Sequence, residues 1–298
     1  VDESGDEVAP GEAGFLTAAC EHVRALAGGG FGRQGGSPIE VSGVERTPSA
    51  FVIGLARLAL AGVEAPHVEL GNSLERAAAG SPHKEGFDLV IANPPFGGRV
   101  GRDGLEHFAV RTNDTTGLFV QHALSQLRPD GRAVIAVPQG FLFRGGPEQR
   151  LREMLMEQHG VEAIVSLPAG TFLPYTGIQS SVVVLRRKGP TERVRMVDGE
   201  GFVTPGKGKA PASVSADQAR KLTQLVHAPS PGKQSWDVDV ATIAESDWDF
   251  TPKRRDKSGL WSVLDALRGE LEVIPLRDCC VLRSGRKMRS EDMVDSDP

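Results

Sequence analysis

The sequence predicts an α/β protein: a doubly wound, mostly parallel sheet with helices on both faces, followed by a C-terminal extension. Three observations carry this expectation. Strand and helix patterns alternate over the first 190 of the 298 residues. The runs RAVIAVP, EAIVSLP and SVVVLRR are rich in β-branched residues, as strands buried on both faces are. The segment FDLVIANPPFGG, residues 87–98, ends an apolar run on an amide, two prolines and two glycines, as a strand does where it meets a loop.

Each element follows from its residues. A glycine-bearing turn, EVAPGEAGF at residues 7–15, leads into GFLTAACEHVRALA, whose apolar residues recur at helical spacing. After the loop GGGFGRQGG, IEVSGVE is a strand candidate, the second, ending on Glu45. Thr47 and Pro48 form an N-cap and first-turn pair opening the helix PSAFVIGLARLALAG. HVEL is the third strand and FDLVIAN the fourth. Beyond a polar loop at residues 97–115, TGLFVQHALSQL is amphipathic and stops at RPDG, and EQRLREMLMEQHG is the helix between RAVIAVP and EAIVSLP.

Near Lys188 the texture changes. GEGFVTPGKGKAPASVS reads as a hairpin or linker, SADQARKLTQLVH as a short helix with a serine cap, and AESDWDFTPKRRDK as a polar strap. LEVIPLRDCCVLRSGRKMRSEDM has the strand-then-glycine texture of a new unit. The expected organisation is a catalytic domain over residues 1–190, a linker, helical and strap extension over 191–270, and the start of a further unit over 271–298.

A chain of this length can bury a full core, and 39% hydrophobic with 24% charged residues is ordinary for a globular protein. The best apolar stretch, FVIGLARLALAG, is short and contains Arg57, so no membrane span is expected. The amino terminus, VDESGDEVAP, lacks a signal-peptide pattern. Cys20, Cys279 and Cys280 give neither a disulfide framework nor metal-ligand spacing, and the seven histidines give none either. No metal site is expected, and a cytoplasmic setting is. A net charge of −5 argues against a general nucleic-acid coat but is compatible with a nucleic-acid enzyme that grips through a local patch or a partner. The short basic clusters RRK at 186–188 and KRR at 253–255 read as solvated edges.

The chemistry is concentrated in Asn93, Pro94, Pro95 and Phe96. Proline and glycine after a strand often mark no more than its end, but this tetrapeptide arises by chance in roughly one chain in a thousand of this size. It also sits at the carboxyl end of an expected parallel strand, where open α/β sheets place their ligands. An exocyclic amino group on a base is a poor nucleophile because its lone pair is delocalised into the ring. Two acceptors gripping its hydrogens draw the nitrogen toward tetrahedral geometry and free that lone pair in the transition state. The side-chain carbonyl of Asn93 and the backbone carbonyl of Pro94 are two such acceptors. The prolines hold them in place, and Phe96 offers a flat face on which an extruded base can stack.

With these residues in view, the sequence resembles a family. NPPF is similar to motif IV of S-adenosylmethionine-dependent amino-group DNA methyltransferases, in the phenylalanine form usual for adenine N6. FVQHALSQLRPDGRAVIAVPQGFLFRGG, GVEAIVSLPAGTFLPYTGIQSSVVVLRRK and DWDFTPKRR look like the modification subunit of type I restriction–modification systems, and the resemblance extends across residues 7–188. It implies a Rossmann-like methyltransferase sheet and adenine-N6 methylation of double-stranded DNA. It also implies S-adenosylmethionine as cofactor, a specificity (target-recognition) region or subunit as partner, and a restriction subunit as a further one. VIPLRDCCVLRSGR resembles the opening strand of a target-recognition domain, and the helical domain that usually precedes the cofactor turn is not found.

The resemblance also implies a cofactor site at Ala9, Gly11, Glu12, Gly14, Phe15, Glu45, Asn72 and Ser73. Against the family turn, Gly11, Gly14 and Phe15 are retained, while Glu7 replaces an aspartate, Pro10 a cysteine, Glu12 a hydroxyl residue and Ala13 a glycine. Ala13 places a Cβ where a positive φ is expected. Glu45 is the acid for the two ribose hydroxyls. Asn72, in GNSL, stands where the family has an aspartate contacting the cofactor's adenine, and keeps one acceptor. Two other readings follow from the same residues. The altered turn suits a cofactor-poor relative serving as a DNA-binding or assembly module. An Asn-Pro-Pro-aromatic claw also suits methyl transfer to RNA or to a glutamine side chain.

Overall fold

The computed structural model of the chain describes residues 13–26, 39–76, 86–101, 105–173, 176–187, 189–204 and 212–252. The expected turn at residues 7–12, the loop around residue 30, the KRR cluster and the unit expected over 271–298 lie outside the described residues. Among the described residues no helix is long and apolar enough to cross a membrane.

Helices α1 (Gly14–Leu26) and α2 (Pro48–Leu60) accompany a parallel pair of short strands, β1 (Ser42–Glu45) and β2 (His67–Leu70). Cys20, Val41 and Leu58 close the core between them. α2 starts where Thr47 and Pro48 place it, but the Thr47 hydroxyl makes no capping bond. The Glu45 carboxylate instead holds the N-cap residue itself, its Oε1 accepting from the Thr47 backbone N–H at 2.7 Å.

The second sheet has six strands: β3 (Phe87–Ala92), β4 (Leu127–Pro138), β5 (Gly160–Ser166), β6 (Ser180–Arg186), β7 (Arg193–Asp198) and β8 (Ser235–Asp239). Their order is β3-β4-β6-β5-β7-β8. The pairs β1–β2, β3–β4 and β5–β7 are parallel, and β6 lies between β4 and β5, antiparallel to both. The fold is therefore α/β with a mixed sheet. The chain turns back after β5 and enters beside it, so β6 must run against its neighbours.

Both faces of this sheet are covered. In β5, Ile164 and Val165 point to opposite sides and both are buried. Ile164 joins Leu185 and Met196 in the main core beneath α4 (Thr115–Gln126) and α6 (Pro147–Gln158). Val165 joins Val197 and Val203 under Leu222 and Leu225 of α7 (Ala216–His227). α7 has the expected serine cap, completed as a capping box by Gln218.

Strands β7 and β8 carry the sheet past residue 190. In β7, Val194 and Met196 face the core while Arg193 and Arg195 stand opposite Asp239 and Asp237 of β8 and pair with them at 2.8 and 2.5 Å. β4 also begins earlier than RAVIAVP. Its register with β3 jumps between Phe87–Leu127 and Leu89–Arg132, so RPDG forms a bulge inside the strand instead of a stop before it. Gly131 makes this possible, because a Cβ there would lie 2.5 Å from the Phe87 carbonyl oxygen.

Candidate active site

β3 ends at Ala92 at the carboxyl end of the sheet, and the next four residues are the expected claw. Pro94 is buried, and the two prolines fix the path of the backbone. The Asn93 Oδ1 atom is buried without a hydrogen-bond partner. Leaving a buried acceptor unpaired costs about 1–3 kcal/mol. An asparagine that merely ended the strand would turn its carbonyl toward a donor or water. This one holds an acceptor in reserve.

The turn beyond it is built for a sharp reversal, with Gly97 at φ +74°. The returning chain is zipped to the start of α4: Val100 N–H donates to the Asn113 carbonyl at 3.0 Å, and Thr115 N–H to the Gly98 carbonyl at 3.0 Å. Asp114 caps α4, its carboxylate accepting from the N–H groups of Thr116 and Gly117. Further along α4, burial and then neighbouring His107 push His122 below the usual histidine range.

Phe96 does not stand alone. The loop between β5 and β6 reaches the same end of the sheet, where Ser180 opens β6 opposite Pro138, the last residue of β4. Phe172 of that loop meets Phe96 edge-on, centroids 5.8 Å apart and planes at 88°. Two perpendicular rings at the claw form a corner against which a flat ring can be stacked on one side and held at its edge on the other. Sequence reasoning gave Phe172 no role; the only hint was an aromatic residue in the loop TFLPYTG.

The residues expected to bind a cofactor come together in part. Glu45 ends β1 and Asn72 follows the end of β2, where the Gly71 N–H donates to the Glu45 carbonyl at 2.8 Å. One Glu45 carboxylate oxygen is used by Thr47, and a carboxylate has acceptor capacity left for a pair of hydroxyls. Asn72 caps the short helix α3 (Ser73–Arg76): its Oδ1 accepts from the Leu74 N–H at 3.1 Å and its Nδ2 donates to Glu75 at 3.0 Å. That uses one lone pair and one hydrogen of the amide, leaving one of each. Ser73 is the first residue of α3 and is half-buried.

Gly14 opens α1, and Phe15 is half exposed on its first turn. Ala13 has φ +54°, the left-handed conformation that the sequence expectation assigned to a glycine. Ala9, Gly11 and Glu12 lie outside the described residues. Ala13, Leu16, Gly43, Glu45, Phe51 and Val68 line an apolar cleft at this end of the β1–β2 pair. Of the residues expected to bind the cofactor, Glu45 alone is among them, and apolar walls beside that acid suit the nucleoside part of the cofactor the resemblance implies. The two halves share α4, because Leu74 of α3 packs with Leu118 of α4 and Phe108.

The chain as a whole is similar to known proteins. The profile of the family described as N-6 DNA Methylase matches residues 2–261. The chain belongs to that family. As a member of the N-6 DNA methylase family it is 31% identical over 196 residues to the EcoEI methylase subunit of a type I restriction enzyme from Escherichia coli, covering 64% of this chain and 39% of that one. It is likewise 31% identical over 183 residues to the MpnII methylase subunit from Mycoplasma pneumoniae, covering 57% and 33%. A chain from a solved type I restriction–modification assembly superposes with a TM-score of 0.68 at 26% identity, over 89% of this chain and 58% of its own length. This family member thus spans between 33% and 58% of the length of these three chains.

The basic cluster at 186–188 is occupied structurally in its described part. Arg186 pairs with Glu162 at 3.3 Å, and Arg187 donates to the Leu127 carbonyl.

Proposed function

We propose that this chain is the catalytic part of a type I modification enzyme, transferring a methyl group from S-adenosylmethionine to the N6 amino group of adenine in double-stranded DNA. The observation that carries the reading is the buried, unpaired Oδ1 of Asn93 beside the Phe96–Phe172 corner. Family membership and the names of the relatives support it.

Base capture comes first. An adenine extruded from the duplex stacks on Phe96, with Phe172 against its edge, and this offsets the few kcal/mol needed to unstack it. Its amino group then donates one hydrogen to Asn93 Oδ1 and the other to the Pro94 carbonyl. Both acceptors are fixed beforehand, so no reorganisation is required as the nitrogen becomes pyramidal. S-adenosylmethionine, when bound, would supply the electrophilic methyl group, its sulfur–methyl bond breaking as the bond to N6 forms and the nitrogen's surplus proton passing to solvent. Glu45 would hold its ribose hydroxyls, and Asn72 with Ser73 would face its adenine. Gly14 and Phe15 would border its methionine portion.

In this reading the catalytic domain covers residues 1–190, with β7, β8 and the strap as its extension through residue 270. The start of a target-recognition unit follows over 271–298. That region, or a separate specificity subunit, holds the duplex, because a chain of net charge −5 neutralises few phosphates by itself. A restriction subunit is the further partner, and the cytoplasm is the compartment.

Calorimetric titration with S-adenosylmethionine tests the cofactor half. Heat of binding is expected for the unaltered chain. Glu45→Ala should weaken affinity about tenfold or more, since hydrogen bonds to a charged group contribute about 1.5–3 kcal/mol. No heat at millimolar cofactor would instead favour the assembly-module reading, for which Ala13 in the left-handed region is the supporting observation.

A further inference from the structure

Thr115 occupies the first turn of α4 and is 6% exposed. Its backbone N–H already donates to the Gly98 carbonyl. Its side-chain Oγ1 lies 3.0 Å from the Pro95 carbonyl oxygen and 3.1 Å from that of Gly98. One hydroxyl hydrogen is thus shared between the carbonyls on either side of the Phe96–Gly97 turn. The contact is also steric. A Cβ on Gly98 would lie 2.9 Å from Thr115 Oγ1 and 3.0 Å from its Cγ2, so the loop can approach this closely only as glycine.

We propose that Thr115 is a positioning residue that clamps the Phe96 turn from the helix and so sets where the stacking ring stands. The clamp's two attachment points bracket Phe96 and leave out Asn93, which hangs from the end of β3. Among the described residues the Phe96 ring meets one other ring, that of Phe172, edge-on, and Phe172 itself sits on a loop. The rigid element is α4, whose Leu118, Val120 and Leu124 are buried in the core. Without the hydroxyl, two backbone attachments remain, Thr115 N–H to Gly98 and Val100 N–H to Asn113. Both lie on the far side of the turn. The near side, at Pro95, is held to the helix by Oγ1.

The inference rests on the proposed base-stacking role of Phe96, so the test has one arm that does not depend on catalysis. Thr115→Val keeps the volume and methyl packing and removes the donor, whereas Thr115→Ser keeps the donor. Hydrogen exchange followed by mass spectrometry should show amides of residues 96–100 exchanging about tenfold faster in Thr115→Val. Residues 118–126 should be unchanged, and Thr115→Ser should exchange as the parent does. In the second arm, transfer to adenine by the chain with its DNA-recognition partner should fall about tenfold in kcat/KM for DNA in Thr115→Val. The apparent affinity for S-adenosylmethionine should stay the same, and Thr115→Ser should restore the rate.

Loop exchange unchanged in Thr115→Val overturns the clamp. Faster exchange with transfer unaffected overturns the positioning role, as does equal loss in the serine and valine variants. If the parent transfers no methyl group at all, the methylation reading fails by itself, and the exchange arm still decides whether Thr115 holds the turn.

Discussion

Asn93→Ala is expected to cut methyl transfer by roughly 10²–10³-fold or more, the cost of removing one fixed acceptor aimed at developing charge, without destabilising the domain. The second half of the expectation is the unusual one. Most buried polar residues lose a hydrogen bond when truncated, but Asn93 Oδ1 has none to lose. Relieving a buried unpaired acceptor returns up to about 1–3 kcal/mol, against which stands the small loss of packing at a strand end. The midpoint of urea unfolding should therefore stay the same or rise. Steady-state transfer measured beside a urea titration separates the two effects. Activity within tenfold of the parent, or a loss of activity that merely tracks a loss of stability, would remove Asn93 from the chemistry.

The largest expected effect on stability lies elsewhere, at Arg152 of α6. This guanidinium is 1% exposed and bridges three parts of the chain. Its Nε donates to the Trp248 carbonyl at 2.6 Å, its Nη1 to the Phe141 carbonyl of α5 (Gln139–Phe143) at 2.8 Å, and it lies 5.9 Å from the centroid of the Phe250 ring. Burial, opposed by nearby Asp249 and Glu148, lowers it to about 10, so it remains charged at neutral pH. The strap it holds needs holding. Asp247 and Trp248 both have positive φ, at 57° and 58°, and each such non-glycine residue costs about 1–2 kcal/mol. Phe250, fully buried, and its N–H bond to the Leu142 carbonyl at 2.8 Å complete the tie. Arg152→Met fills much of the volume but leaves two buried carbonyls unpaired, so it should cost about 2–4 kcal/mol. An unfolding free energy from urea titration within about 1 kcal/mol of the parent would mean that water or neighbouring donors replace the guanidinium and that the strap is not tied through it.

Much of this was legible in the residues because short-range chemistry dictated it. Pro48, Ser215 and the glycine-proline breaks punctuate the chain, and unbroken runs such as AIVSL can be satisfied only between two covered faces. The claw was legible for the same reason, since its rigidity comes from proline itself. What stayed hidden depended on partners distant in sequence. β7 and β8 carry alternating patterns, RVRMVD and SWDVD, but a five- or six-residue alternation becomes a strand only when a neighbour supplies Arg–Asp partners across it. The RPDG turn reads as a stop until β3 lies alongside and Gly131 admits its carbonyl. Phe172 and Thr115 gave no local signal of function, being an aromatic in a loop and a threonine after an aspartate cap. Their roles arise only from where the sheet brings residues 96, 115 and 172 together.

The most direct test is the chemical identity of the product. The chain, with its DNA-recognition partner and S-adenosylmethionine labelled in the methyl group, is incubated with duplex DNA, and the DNA is digested to nucleosides and separated. The account predicts label in N6-methyladenine, and none in that position when Asn93 is replaced by alanine. Label in 5-methylcytosine, or in RNA or protein but not in DNA adenine, would contradict it.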